Sequence, residues 1–275
     1  MSDQRSRAEL FRSLHVPGNP VVLVNAWDAA SARIVAAAGA RAVATTSAGV
    51  AWSLGAPDGD ALGRELATEL VGRVVAAVPL PVTADIESGF GTTPEEVAGT
   101  VRAVLAAGAV GVNLEDVAPA GTAGLRDVAD QSARLAAARA AADEAGVPLY
   151  VNARVDTFLR GAGGLPETLD RAAEYLRAGA DGIFVPGVVD PDTVTALVVG
   201  IPAPVNVLAG PGAPTVPELA GLGVGRVSLG SSVAAAAYAV VRRAATQTYG
   251  AGGYDALDGG LDYGTLNELM RDTGR

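Results

Sequence analysis

The sequence predicts a single α/β domain folded as a (β/α)8 barrel of the TIM type, and three observations carry that prediction. Eight short apolar runs alternate with helical patterns along the 275 residues, a length at which such a barrel forms one domain. The runs are almost continuously apolar, as parallel strands covered on both faces are. An internal echo recurs as well: Val-Ala-Ala-Ala-Gly-Ala-Arg-Ala-Val from position 35, Leu-Ala-Ala-Gly-Ala-Val-Gly-Val from 105 and Leu-Arg-Ala-Gly-Ala-Asp-Gly-Ile from 176 each read as a helix end, a glycine turn and a strand start. Their glycines, Gly39, Gly108 and Gly179, stand about 70 residues apart, which is two strand–helix units.

Taken in order, the strands are expected at residues 21–27, 42–47, 82–87, 110–116, 149–156, 182–186, 204–208 and 226–230. The clearest helix follows the third. Thr93 can cap it, Pro94 suits its first position, Glu96 completes a capping box, and Val97, Val101, Val104 and Leu105 share one face before Gly108 stops it. A second helix, 166–178, places Leu169, Ala172, Ala173 and Leu176 on one face and ends at Gly179. No linker divides the chain, so residues 1–275 form one domain with a tail from about residue 246 to 275 that is glycine-rich and then helical from Asp262. An open doubly wound sheet shows the same alternation, but it calls for a glycine fingerprint after the first strand, and Val24-Asn25-Ala26-Trp27-Asp28 has none.

Composition narrows the chemistry. A net charge of −10 without a basic cluster argues against nucleic acid and against anionic membrane surfaces. No apolar run reaches membrane-spanning length and the N-terminus has no apolar leader, so a soluble, cytoplasmic protein is expected. There is no Cys, and all 20 basic residues are Arg. A thiolate nucleophile, a Cys-ligated metal and a lysine Schiff base are thereby excluded. The lone imidazole, His15, precedes the first strand, where a packing or surface role is the expectation. Carboxylates, Arg, hydroxyls, Tyr, backbone amides and a bound metal remain.

In a barrel of this kind the active site lies at the C-terminal ends of the strands. Reading those positions gives Trp27 and Asp28; Thr46, Ser47 and Gly49; Asp85 and Glu87; Glu115 and Asp116; Arg154 and Asp156; Asn206; and Ser231 and Ser232, with Asp58 in the loop after strand 2. Asp85 and Glu87 alternate on one strand and are expected to share a face. Two adjacent carboxylates repel unless one holds a proton or a cation lies between them. A hard divalent ion such as Mg²⁺ answers this most simply; two solvated acids at a strand end are the other reading. Arg154 can grip a carboxylate or phosphate bidentately.

Four motifs then carry a resemblance. Ser-Leu-Gly-Ala-Pro-Asp-Gly at 53–59, Ala-Asp-Ile-Glu-Ser-Gly-Phe-Gly at 84–91, Gly-Val-Asn-Leu-Glu-Asp at 111–116 and Val-Asn-Ala-Arg-Val-Asp-Thr-Phe-Leu at 151–159 resemble the motif set of the isocitrate lyase/phosphoenolpyruvate mutase superfamily; Asn-Ala-Trp-Asp-Ala-Ala-Ser-Ala-Arg at 25–33 and Asn206-Val-Leu fit it too. The resemblance implies a barrel whose last helix is swapped between subunits, a dimer-of-dimers homotetramer, and Mg²⁺, with Mn²⁺ as a substitute, bound partly through water. It implies Asp58, Asp85, Glu87 and Glu115 as the metal shell, and Trp27, Thr46, Ser47, Gly49, Arg154 and Asn206 as the binding surface for a small anionic carboxylate or phosphonate. Catalytic roles would fall to Arg154, Asp58, Glu115 and, on the lid after strand 4, Thr122.

Two departures stand out. Glu87 occupies a position where the best-known members carry Asp. The lid, Val-Ala-Pro-Ala-Gly-Thr-Ala-Gly-Leu at 117–125, has none of the Lys, Cys, His or Asn that the lyases and the mutase use there; Thr122 is its one hydroxyl, and Gly121 and Gly124 suit a flexible segment. The resemblance therefore points to a Mg²⁺-dependent lyase that cleaves a C–C bond of a small α-oxo or 2-hydroxy carboxylate through a metal-stabilised enolate, oxaloacetate-type decarboxylation being one form. The alternative is a P–C bond enzyme, a phosphoenolpyruvate/phosphonopyruvate mutase or hydrolase. A third class, a phosphometabolite isomerase or a non-catalytic binding barrel, would use Ala-Gly-Pro-Gly-Ala-Pro at 209–214 and Gly230-Ser231-Ser232 as a phosphate site.

Overall fold

Eight parallel strands pair in the order β1-β8-β7-β6-β5-β4-β3-β2 in a computed structural model that describes residues 2–119 and 122–271. In chain order the elements are α1 (Ser2–Ser13), β1 (Val21–Leu23), α2 (Ala29–Ala37), β2 (Val43–Ala44), α3 (Ser47–Ser53), α4 (Arg64–Ala77), β3 (Val82–Asp85), α5 (Pro94–Ala106), β4 (Gly111–Glu115), α6 (Val128–Glu144) and β5 (Tyr150–Arg154). There follow α7 (Thr157–Arg160), α8 (Leu165–Arg177), β6 (Gly182–Val185), α9 (Pro191–Gly200), β7 (Val205–Leu208), α10 (Val216–Gly221), β8 (Arg226–Ser228), α11 (Ser232–Gly250) and α12 (Tyr263–Arg271). The predicted (β/α)8 barrel is what forms.

The strands are shorter than their apolar runs because side chains take over from the ladder at the upper rim. The sheet closes between β1 and β2 through a parallel bridge of Ala26 with Thr45, and Ala26 N donates to Ala44 O at 2.8 Å. Beyond β1 the Asn25 amide does the stitching. It donates to Thr45 O at 2.9 Å and accepts from Leu229 N and Gly230 N at 3.1 and 2.9 Å, joining the first, second and last strand ends.

The lower end is plugged by α1. A Cβ on Gly111 would lie 2.7 Å from Phe11, so the ring occupies space that any other residue would claim. His15 stacks on Tyr150 with centroids 3.8 Å apart, and its Nδ1 lies 2.8 Å from Phe11 O. Burial lowers the imidazole to about 3, which leaves it neutral and packed at the end opposite the site.

The capping box of α5 forms as expected, with Val97, Val101, Val104 and Leu105 buried. The face of α8 is rotated from the expected one. Thr168, Arg171, Ala172 and Tyr175 are the buried residues, while Leu169 and Leu176 pack at the edge of the core. The helix turns this way because Asp116, buried at the end of β4, draws Arg171 and Tyr175 inward. α11 buries Ala234 alone and exposes Tyr238, Val240, Val241 and Tyr249. The tail returns to the barrel: α12 packs on α2, with Arg33 Nη1 donating to Leu269 O at 3.1 Å and to Met270 O. Among the described residues no helix is long and apolar enough to cross a membrane.

Candidate active site

Asp85 ends β3 at the centre of the upper rim. Its backbone N–H donates to Thr45 Oγ1 at 2.9 Å, and its carboxylate accepts from Ser47 N at 3.2 Å and Glu87 N at 3.4 Å. Ser47 opens α3. Desolvation and the Asp85 charge raise the Asp58 pKa, while the Ser47 side chain, Arg154 and the Gly59 N–H oppose the rise.

Glu87 does not continue the strand. Its φ of +51° lies in the left-handed region, which turns the side chain from the Asp85 face toward the loop after α3. There Oε2 accepts from Gly59 N at 2.8 Å and from Asp60 N. Burial pushes the Glu87 carboxyl up to about 7; the carboxylates of Asp58, Asp60 and Asp85 add to this and the Asp60 N–H opposes it.

Across the mouth, β4 and β5 bring Glu115 beside Arg154. Nη1 of Arg154 lies 2.7 Å from Glu115 Oε2, while Nε and Nη2 hold Asp156 at 2.6 and 2.9 Å. Two acids share one cation, and an N–H on each terminal nitrogen is left over. Burial pushes the Glu115 carboxyl up to about 8, with Asp156, Asp85 and Glu87 in the same direction and Arg154 opposing. Behind this clamp Asp116 accepts from Asp156 N at 2.9 Å, Tyr175 OH at 2.8 Å and Arg171 Nη1 at 3.2 Å. Arg171 Nη1 also reaches Arg126 O at 3.0 Å, where the lid returns to the barrel.

Asn206 lies one layer below the mouth. Its Oδ1 accepts from Asn152 Nδ2 at 3.0 Å, and its Nδ2 reaches Ser228 Oγ at 3.1 Å. The same layer holds Asn113, hydrogen-bonded by Asn152 at 2.9 Å and by Arg226 at 3.2 Å. Burial lowers the Arg226 guanidinium to about 10, and its Nη1 has no partner in this layer.

The remaining expected residues divide. Thr46 is buried at the N-cap position of α3 without a capping side-chain hydrogen bond, and Gly49 faces it closely: a Cβ there would lie 2.8 Å from Thr46 Cγ2, 2.9 Å from Trp27 Cβ and 3.2 Å from Ala234 Cβ. Trp27, half-buried, thus flanks the start of α3. Asp28 is a helix cap, accepting from Ser31 N. Thr122 stands exposed on the lid, whose two limbs pair through Val117 and Leu125 and through Ala118 N to Gly124 O at 3.2 Å. Gly121 lies outside the described residues. Ahead of α11, the amides of Leu229 and Gly230 are given to Asn25.

Strand ends alone did not point to Thr45, Asp60, Asn113, Asn152, Arg171, Tyr175 or Arg226. Alternation along β4 and β5 offered a signal for Asn113 and Asn152, which lie two positions before Glu115 and Arg154 on the same face. The others act through contacts far apart in sequence.

Among the described residues no group of three or more acids or imidazoles is gathered closely enough to hold a metal by side chains alone. The donor set fits a hard cation differently. Asp85 is central, and its charge raises Asp58, Glu87 and Glu115 together. Mg²⁺ keeps several waters and takes few direct carboxylates, which is the arrangement these residues can supply.

The family model described as phosphoenolpyruvate phosphomutase matches residues 11–249. The chain is 41% identical over 222 residues to an uncharacterized protein of Mycobacterium tuberculosis, covering 80% of this chain and 81% of that one. It is 33% identical over 198 residues to the 2-methylisocitrate lyase of Salmonella typhimurium, covering 70% of this chain and 64% of the lyase. Among solved structures, a Burkholderia cenocepacia protein proposed to be a lyase or mutase superposes with a TM-score of 0.92 at 38% identity, covering 98% of each chain.

Proposed function

The chain belongs to the phosphoenolpyruvate phosphomutase family, within the isocitrate lyase/phosphoenolpyruvate mutase superfamily of lyases, mutases and hydrolases, and from that premise we propose that it is a Mg²⁺-dependent lyase cleaving a C–C bond of a small α-oxo or 2-hydroxy carboxylate. The observation that carries the reading is the clamp beside the acids. Arg154 is fixed on two sides by Asp156 and Glu115, with donors left to face a carboxylate, within the field of Asp85. Such preorganisation is what positioning a small anion requires.

Asp85 is the direct ligand in this reading, with Asp58 and Glu115 reaching the ion through water; Glu87, the fourth acid, is turned to the loop. Bound there, Mg²⁺ or Mn²⁺ would supply positive charge against the oxyanion that develops as the bond at C3 breaks. Arg154 orients the substrate carboxylate. Ser47 and the backbone from Thr46 to Gly49 line the opposite wall, with Trp27 beside them, and Asn206 supports the floor from below. For a 2-hydroxy acid, Asp58 takes the hydroxyl proton. Glu115, held beside Arg154, is placed to return a proton to the departing carbon fragment. The lid brings Thr122 over the mouth and excludes water.

A P–C bond enzyme is the second reading. A related solved structure at 27% identity is a phosphonopyruvate hydrolase complex with oxalate and Mg²⁺. It is less favoured because a departing phosphoryl group wants cations, and the lid has no Lys. The test is turnover of oxaloacetate, 2-methylisocitrate, 2,3-dimethylmalate and phosphonopyruvate, each with Mg²⁺ and with EDTA. Metal-dependent turnover of a carboxylate supports the lyase; turnover of phosphonopyruvate alone would replace it with the second reading.

A swapped α11 in a dimer of dimers belongs to the same proposal. Its support is the row of Tyr238, Val240, Val241 and Tyr249 that α11 leaves exposed. Light scattering that finds a monomer at micromolar concentration would remove it. The cytoplasm is the proposed location.

A further inference from the structure

We propose that Glu87 is a positioning residue that clamps the 56–62 loop over the barrel mouth by accepting the backbone N–H groups of Gly59 and Asp60, and that direct metal ligation is not its task. The two donors converge on one oxygen, Oε2, from neighbouring residues of the loop. Glu87 is 2% exposed, whereas the loop around Gly59 and Asp60 faces solvent. A buried carboxylate with two backbone donors is an anchor for the strand that carries them.

The backbone conformation points the same way. Asp60, Glu87 and Phe90, at φ of 59°, 51° and 49°, are the non-glycine residues in the left-handed region among those described, and they lie in the two loops that the clamp joins. Side chains adopt that region at a cost, and they stay there only where contacts over-determine the geometry. The contacts are present. Ser88 Oγ donates to Asp60 Oδ2, doubling the link between the loops. From α6, Arg134 donates to Ser88 O, to Gly91 O at 2.9 Å and to Thr92 O at 3.2 Å, which braces the Glu87 side of the clamp.

Side-chain length matters here. An Asp at position 87 would be shorter by one methylene, about 1.5 Å, and could not reach amides that Glu87 meets at 2.8 Å. The longer residue exchanges a place at the ion for a hold on the loop. The loop so held carries Asp58 within the field of Asp85; this last consequence rests on the reading of the acids given under Proposed function, but the clamp itself does not.

Two variants separate charge from reach. Glu87→Gln keeps the length and an acceptor oxygen and removes the charge; Glu87→Asp keeps the charge and loses the reach. Amide hydrogen exchange of the 56–62 segment and Mn²⁺ binding followed by electron paramagnetic resonance are measured on the metal-free full chain. Glu87→Asp is expected to speed exchange at Gly59 and Asp60 by about tenfold or more. Glu87→Gln is expected to restore slow exchange and to hold the Mn²⁺ Kd within about threefold of wild type. Exchange in Glu87→Asp as slow as in wild type would overturn the clamp. So would a Glu87→Gln protein whose loop is protected but whose Mn²⁺ affinity falls by about a hundredfold, since Glu87 would then act through its charge on the ion. Wild-type protein that binds no Mn²⁺ would count against the function proposed above, while the exchange comparison still decides the clamp.

Discussion

Replacing Asp156 by Asn should damage the anion clamp more than the fold. Asp156 is fully buried and holds Arg154 through Nε at 2.6 Å and Nη2 at 2.9 Å. Removing one partner of a buried ion pair costs about 3–5 kcal/mol when the other charge is left alone. Here Glu115 still faces Arg154 at 2.7 Å, and the Asn oxygen can accept one of the two N–H groups. The stability loss should therefore be nearer about 2 kcal/mol. The guanidinium plane, however, is no longer fixed by a fork. A displacement of about 1 Å in a substrate-positioning group costs about a hundredfold in rate, so kcat/KM should fall by about that factor, mainly through KM if Arg154 binds the substrate carboxylate. Urea denaturation and steady-state kinetics on whichever carboxylate is turned over give both quantities. An Asp156→Asn enzyme with wild-type KM and kcat would show that Arg154 does not orient the substrate, and the clamp reading would fail.

Three further outcomes follow from the same geometry. Gly49→Ala places a methyl 2.8 Å from Thr46 Cγ2 and 2.9 Å from Trp27 Cβ, and overpacking of this kind should lower stability by about 1–3 kcal/mol in urea titration; no change would mean that the start of α3 is loosely packed. Arg226→Met removes a buried guanidinium that has an unpartnered nitrogen, hydrogen bonds to the neutral side chains of Asn113 and Ser228, and only the more distant charge of Asp85 to offset its burial, so the variant should be as stable as wild type or gain about 1 kcal/mol, and a loss above about 3 kcal/mol would show that Asp85 pairs with Arg226 more strongly than this. The stability difference between metal-free wild type and Glu87→Gln should fall as pH rises, a comparison that cancels the opposite contribution of His15, which is buried neutral. Glu87 is raised in the fold from 4.5 to about 7, so the folded state binds more protons than the unfolded one between those values, and the Glu87 contribution present below the lower value is gone above the higher. A wild-type-minus-Glu87→Gln difference that climbs across that interval would contradict the placement of Glu87.

The barrel was legible because its signals are local. Continuous apolar runs, the helix-end glycines and the Thr93–Glu96 box each act within a few residues, and the strands and α5 formed where those signals stood. The strand ends were overextended at β1 because Asn25, through its side chain, replaces the ladder that an apolar run implies. The rotation of α8 was not legible, since hydrophobicity favoured Leu169 and Leu176 while the helix obeys Asp116, an acid from a different strand. The direction of Glu87 was hidden for a similar reason. Alternation along a strand predicts a shared face with Asp85, and nothing local announces a left-handed glutamate held by a loop 27 residues away. Asn206 was found by position, but its partners Asn152 and Ser228 come from other strands and no local pattern announces them. The segment between Val117 and Leu125 carries little local signal, being mostly Ala and Gly.

In the proposed function Asp85 anchors a divalent cation at the mouth of the barrel. Calorimetric titration of Mg²⁺ into the metal-free wild-type chain and into Asp85→Ala, both in the presence of oxalate, tests it most directly. One site is expected in the wild type and a loss of about a hundredfold or more in affinity in Asp85→Ala, with circular dichroism unchanged. Equal affinity in the two proteins would contradict it.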